Sequence, residues 1–187
     1  MTTDTRNNAN NNKNEKYARL FFAIQPSKKI QKTLGQVVEK QIQHDGGRLI
    51  KPENIHLTLL FLGKTDIDKI SALKTAAGNI TAKTFNLTIG KTRFWKRNQI
   101  IYAHADIYPP ELFTLVDAIK NAVQNAGFEF DSRAFKPHIT LARKVTRHTL
   151  VDFQQPVQWH VKEWLLMQSR QTDQGIRYTS LGRWPLH

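Results

Sequence analysis

Cysteine is absent from the 187 residues. That removes disulfides, thiolate metal sites and a cysteine nucleophile, and it is compatible with a cytoplasmic protein. Long apolar runs are missing as well. None approaches the ~20 residues that span a bilayer, and none stands where a secretory leader would, so no membrane partner is expected. Acidic residues are few: 15 Asp and Glu face 28 Lys and Arg, a net charge of +13. An excess of that size favours a polyanionic partner, because each phosphate neutralised releases condensed counterions; a merely solvated cationic surface is the plainer explanation. Large apolar side chains are nearly absent from residues 1–15, an Asn- and Thr-rich stretch that cannot bury enough surface to offset ordering entropy. This stretch reads as a disordered tail, followed by one folded domain over residues 16–187.

Within that domain the apolar pattern is regular. Tyr17 to Ile24 (YARLFFAI) suits a buried strand ended by Pro26. Ser27 can cap a helix that turns Ile30, Leu34, Val37, Val38 and Ile42 inward and stops at Gly46-Gly47. Arg48 to Lys51 is a short strand candidate, and Pro52-Glu53-Asn54 turns the chain into Ile55 to Leu62. A second helix follows, with Ile67, Ile70, Leu73, Ala77 and Ile80 on one face. The second half repeats the plan: Gln99 to Ala105 as a strand, Glu111 to Ala126 as a helix, then His138 to Arg143 as a strand after Pro137. Val157 to Val161, Trp164 to Ser169 and Tyr178 to Leu181 read as further antiparallel strands. A strand–helix–strand plan met twice predicts two lobes related by a pseudo-two-fold axis, although strand–helix alternation is common.

The two halves share a tetrapeptide. His56-Leu57-Thr58-Leu59 and His138-Ile139-Thr140-Leu141 occupy matching places in the repeat. Side chains alternate along a strand, so each motif offers an imidazole and a hydroxyl to one face and anchors two aliphatic residues on the other. Imidazoles with an ordinary pKa near ~6.5 can be split into one neutral base and one protonated acid. The base removes a proton from an attacking water and the acid protonates the departing oxygen, while the Thr hydroxyls hold phosphoryl oxygens. A cyclic phosphate, whose leaving group is a ribose hydroxyl, fits that arrangement. A single His-x-Thr is weak evidence, since a strand histidine is more often structural; the matched pair is much stronger. His44, His104, His148, His160 and His187 are expected to be structural or solvated. Neither motif holds a further metal ligand, and no His-x-x-x-His occurs, so neither a metal nor another cofactor is expected. The cationic strip Lys91 to Arg97 (KTRFWKR), with Phe94 and Trp95, is either an RNA contact or a hairpin with exposed cations and buried aromatics.

These motifs resemble those of the two-histidine phosphoesterases, and specifically the RNA 2',3'-cyclic phosphodiesterases first called 2'-5' RNA ligases (LigT or ThpR). The likeness rests on RLFFAI at Arg19 to Ile24, PENIHLTL at Pro52 to Leu59 with Phe61-Leu62-Gly63, FKPHITLAR at Phe135 to Arg143 and YTSLGR at Tyr178 to Arg183. It implies an α+β, bilobal fold with antiparallel sheets around a central cleft and helices outside. It implies metal-independent hydrolysis of a terminal 2',3'-cyclic phosphate to a 2'-phosphomonoester, with 2'-5' ligation as the reverse. It also implies His56 as proton donor, His138 as proton acceptor, and Thr58 and Thr140 on the phosphate. Arg143 would add a cation there; its strand parity opposes His138, so a bulge or strand end is required. Relatives often carry Trp where this chain has Leu49, which leaves base stacking to other residues. RNA with a cyclic end, tRNA halves among the possibilities, is the expected partner of a monomer. The alternatives are a non-catalytic RNA-binding module on the same fold and a phosphodiesterase for small cyclic nucleotides.

Overall fold

The chain folds around a sheet whose order follows from the repeat. The structure, a computed structural model, describes residues 16–147 and 152–187. The expected tail at 1–15 and His148 lie outside the described residues, as does the side chain of His44. Nine strands are present among the described residues: β1 (Tyr17–Ile24), β2 (Arg48–Leu49), β3 (Leu57–Asp66), β4 (Phe85–Trp95), β5 (Ile100–Ala105), β6 (Ile139–Arg143), β7 (Asp152–Val161), β8 (Glu163–Thr172) and β9 (Gly175–Pro185). Three helices accompany them: α1 (Lys28–Asp45), α2 (Ile70–Gly78) and α3 (Pro110–Asn125).

All strand pairs are antiparallel, in the order β7-β4-β5-β6-β3-β1-β8-β9, with β2 on β6. The order is symmetric about its middle. β1, α1 and β3 build the centre of one half, and β5, α3 and β6 build the centre of the other, as the repeat predicts. The central strands β3 and β6 of the two halves meet in a single register pair, Leu57↔Ile139, and β2 of the first half adds Arg48↔Arg143 and Leu49↔Ala142. The sheets of the two lobes are thus continuous through the pairing of β3 and β2 with β6.

Alternation along β1 shows how the faces divide. Ala18, Leu20, Phe22 and Ile24 enter the main core with Leu34, Val38 and Ile42 of α1, Leu73 of α2, and Leu112, Leu115 and Ile119 of α3. Phe21 and Ala23 point the other way, into a small separate cluster with Leu165 and Met167, partly covered by Tyr178. Helices therefore back one face of the sheet and leave the other for the cleft. Local chemistry sets the ends of α1: Ser27 accepts from the Ile30 amide, and Gly46, at φ 76°, returns its N–H to Ile42. The chain can then pass close to β6, since a Cβ on Gly47 would lie 2.9 Å from Val145.

The 11-residue strand β4 runs much further back than the cationic strip that marked it in the sequence. Its alternation is blurred by a register shift between Ile89 and Lys91 against both neighbours, which mixes polar and apolar residues on each face.

Candidate active site at the junction of the lobes

The junction fixes the site. Each histidine immediately precedes a central strand, one residue before the Leu57↔Ile139 pair. Continuing that antiparallel register sets His56 across from Thr140 and Thr58 across from His138, which gathers both imidazoles and both hydroxyls at one place on the sheet. Leu57, Leu59, Ile139 and Leu141 are buried behind them. His56, Thr58, His138, Thr140 and Arg143 all line one cleft of about 700 Å³.

Both rings are held the same way. His56 Nδ1 lies 2.7 Å from the Asn54 carbonyl, and His138 Nδ1 lies 2.7 Å from the Lys136 carbonyl. A carbonyl only accepts, so each Nδ1 carries the proton and each Nε2 is turned to the cleft with its lone pair free in the neutral ring. Thr58 Oγ1 is 3.0 Å from His56 Nε2 and donates to it in that state. The neighbours are aromatic in both lobes. Phe21 and Tyr178 each stand 5.0 Å from the His56 ring, whereas Trp95 and Tyr102 stand 4.6 Å and 5.8 Å from His138.

Electrostatics follow from this enclosure. Desolvation lowers His56 from 6.5 to about 4; the Asn54 hydrogen bond opposes the shift, and His138 and Arg143 add to it. Desolvation also lowers His138, opposed by Lys136 and reinforced by Arg143. Arg143 therefore stands close enough to act on both rings. A register shift explains how it reaches the cleft: Tyr102 pairs with Thr140 but Ile101 with Ala142, so Leu141 is an extra residue and the strand's parity is reset. β3 repeats the device after Thr58, where Ala23 pairs with Thr58 and Phe22 with Leu60. The residue brought to the cleft there is Phe61, 46% exposed.

Sequence reasoning missed Phe21 and Tyr178 as parts of the cleft, because strands β1 and β9 read only as core or sheet-completing, and missed Phe61 because the bulge after Thr58 in β3 resets its parity. The strip at Lys91 to Arg97 forms one strand end and the turn of the β4–β5 hairpin, with Phe94 against the main core and Trp95 against His138. Leu49 lines the cleft and packs partly on the core. His104 lies 3.3 Å from Tyr108 Oη, and His160 bonds Asn86 at 2.8 Å, both away from the cleft. Among the described residues no three of His, Cys, Asp and Glu come together to hold a metal ion, and no helix is long and apolar enough to cross a membrane.

Two histidine-bearing halves about a shared cleft have counterparts among known proteins. The family model for LigT-like phosphoesterases matches residues 24–102 and 106–178, so that each matched stretch contains one of the two histidine motifs. This chain belongs to the LigT-like phosphoesterase family. It is 31% identical over 173 residues to the RNA 2',3'-cyclic phosphodiesterase of Escherichia coli K12, a match covering 90% of this chain and 96% of that protein. The structure is similar to that of E. coli LigT complexed with 3'-AMP, with a TM-score of 0.81, 31% identity, and coverage of 91% of this chain and 98% of that one. A Thermus thermophilus protein, at 23% identity and a TM-score of 0.79, shares the fold over 90% of this chain and 97% of its own. The LigT-like family thus has the α+β architecture seen here.

Proposed function

We propose that this chain is an RNA 2',3'-cyclic phosphodiesterase that hydrolyses a terminal cyclic phosphate to a 2'-phosphomonoester without a metal ion. The observation that carries this reading is the paired histidine mounting: two imidazoles fixed through Nδ1 to main-chain carbonyls, with both Nε2 atoms turned to one cleft beside Arg143. The relatives' activity supports the choice of substrate.

In the proposed step His138 Nε2 takes a proton as water attacks phosphorus. The bond to the ribose 3'-oxygen breaks, and His56 Nε2–H delivers a proton to that oxygen. A ribose alkoxide leaves badly, so the acid is indispensable. Thr58, Thr140 and Arg143 hold the non-bridging oxygens as charge builds. Before substrate binds, His56 is neutral at neutral pH. The substrate's negative charge beside the ring favours the imidazolium against the desolvation that lowers it, so binding draws a proton onto the acid. With a 5'-hydroxyl in place of water, the reverse of an analogous cleavage forms a 2'-5' linkage.

The test is turnover of a cyclic-ended RNA in EDTA, with the product phosphate located by phosphorus NMR. A 2'-phosphate is expected, and His56→Ala and His138→Ala should each slow turnover by ~10² or more. Undiminished turnover in both variants would sink the reading, and activity abolished by EDTA would sink its metal-independence.

A further inference from the structure

The cleft is lined by five cations, Arg19, Arg48, Lys51, Arg143 and Lys144, and by no carboxylate. One histidine-bound phosphate needs fewer. The surplus is concentrated on the rim formed by β2 and the end of β6, where Arg48 is the direct register partner of Arg143. Like charges placed opposite one another on neighbouring strands destabilise a sheet. Here nothing relieves them: among the described residues no ion pair engages either guanidinium.

Two other features mark the same rim. Arg48 lies against the tip of the β8–β9 hairpin at Gly175, where φ is +102° and an added Cβ would come within 2.8 Å of the guanidinium. The positive-φ residues other than glycine among the described residues are Gln99 and Lys144, at 52° and 57°. Both line the cleft at this rim, and Val145, next to Lys144, donates to the Gln99 carbonyl at 3.1 Å. Backbone strain of this kind persists where the surrounding structure holds it, commonly at a ligand clamp.

The opposite rim differs. It sets Arg19 across from Lys64, but the Lys64 ammonium sits 4.0 Å over the Tyr17 ring. Exposed Phe61, backed by buried Phe21, adds aromatic surface there, a better match for a base than for a backbone phosphate.

We infer that Arg48 and Lys144, on the rim beside Arg143, bind the phosphodiester on the 5' side of the terminal nucleotide and so set the preference for a single-stranded oligoribonucleotide end over a mononucleotide. This rests on the functional reading above. A bound phosphate resolves the repulsion between the paired arginines, and each cation that meets a phosphate makes binding more salt-dependent.

The experiment compares a mononucleoside 2',3'-cyclic phosphate with a short cyclic-ended oligoribonucleotide, in the wild type, Arg48→Gln and Lys144→Asn. Asn suits the left-handed backbone at 144 while removing the charge. The wild type should favour the oligonucleotide. Each substitution should raise KM for it by roughly tenfold and leave the mononucleotide constants nearly unchanged. The slope of log KM against log salt should flatten by about 0.7 for each phosphate that is no longer neutralised. Thermal midpoints should hold steady or rise in Arg48→Gln as the opposed charges are relieved. Equal losses on both substrates, or an indifferent rim, overturn the proposal while the functional reading stands. A wild type that opens neither substrate overturns the functional reading and this proposal with it.

Discussion

Around His56 the ring is enclosed by Phe21 and Tyr178, and its Nε2 already has Thr58 as a partner. Around His138 the ring rests against Trp95 and Tyr102, and desolvation lowers its proton affinity without the added push that His56 receives from a second imidazole. The frames are otherwise alike: equal bonds to a carbonyl two residues back, matching bulges after each threonine, matching strand positions. At the fifth residue after each histidine the halves part, with Phe61 in one and Arg143 in the other. A duplicated frame thus carries unequal contents, and in the proposed mechanism it is this difference between two environments that would let one imidazole serve as acid and the other as base.

The largest effect expected from that inequality is in the choice of leaving group. Loss of either imidazole should cost a factor of roughly 10²–10⁴ on a cyclic-ended RNA. On an aryl phosphodiester, whose phenolate leaves without help, a missing acid costs little. His56→Ala should then keep most of its activity and His138→Ala should not. Rates on both substrates for the two variants check this; recovery by His138→Ala instead would exchange the two roles.

The next effect is on acid stability. In the unfolded chain His56 takes up a proton near pH ~6.5, but in the native protein only near about 4. As pH falls the unfolded state therefore binds the proton first. The stability held above pH ~6.5 is lost progressively down to about 4 and is constant below it, to a total of about 3 kcal/mol. His138, also lowered, acts in the same direction. Urea unfolding at pH 7.5 and 4.5 should show His56→Gln losing about 2–3 kcal/mol less than the wild type between the two values. An equal loss in both would assign the pH dependence to other groups.

The same depressed affinities bear on the rate profile. In kcat/KM, which reports the free enzyme, both limbs should fall on the acid side of an ordinary histidine. In kcat they should move upward, because bound phosphate favours the imidazolium. Profiles that coincide would mean that the substrate does not raise the acid. Because the two rings interact, these limbs belong to the pair.

How much of this was visible in the sequence follows from how locally each feature is encoded. The strands that flank the helices, the caps at Ser27 and Gly46, and the pairing of the two tetrapeptides are matters of short-range pattern, and they were legible. The tight aromatic surroundings of His56 were not. Phe21 and Phe22 sit side by side in one apolar run, and only the third dimension shows that Phe22 enters the main core while Phe21 flanks the histidine. Trp95 was singled out for its cationic neighbours, yet its contact is with the His138 ring, made through the hairpin that joins β4 to β5. The parity of Arg143 called for a bulge, and sequence could not say where it falls; the skipped residue is Leu141.

The smallest expected effect concerns the carbonyls just before each histidine, which the two lobes secure with different side chains. Buried Gln31 of α1 donates through Nε2 to the Ile55 carbonyl at 3.2 Å. Tyr108, between β5 and α3, donates through its hydroxyl to the Pro137 carbonyl at 3.1 Å and accepts from the Ala105 amide at 3.2 Å. Gln31→Leu leaves a carbonyl unpaired in the interior, at a cost of about 1–3 kcal/mol of stability. Tyr108→Phe removes the two hydroxyl bonds and the 3.3 Å contact with His104 Nδ1 at a part-buried site that water can reach, for about 1 kcal/mol. Each change also loosens the segment that presents one imidazole, so kcat should fall several-fold while KM, set by groups across the cleft, moves little. If the mounting of the acid matters as proposed, Gln31→Leu should slow the RNA substrate more than the aryl phosphodiester, and Tyr108→Phe should slow both alike. Equal behaviour of the two variants would mean that these bonds serve the fold alone.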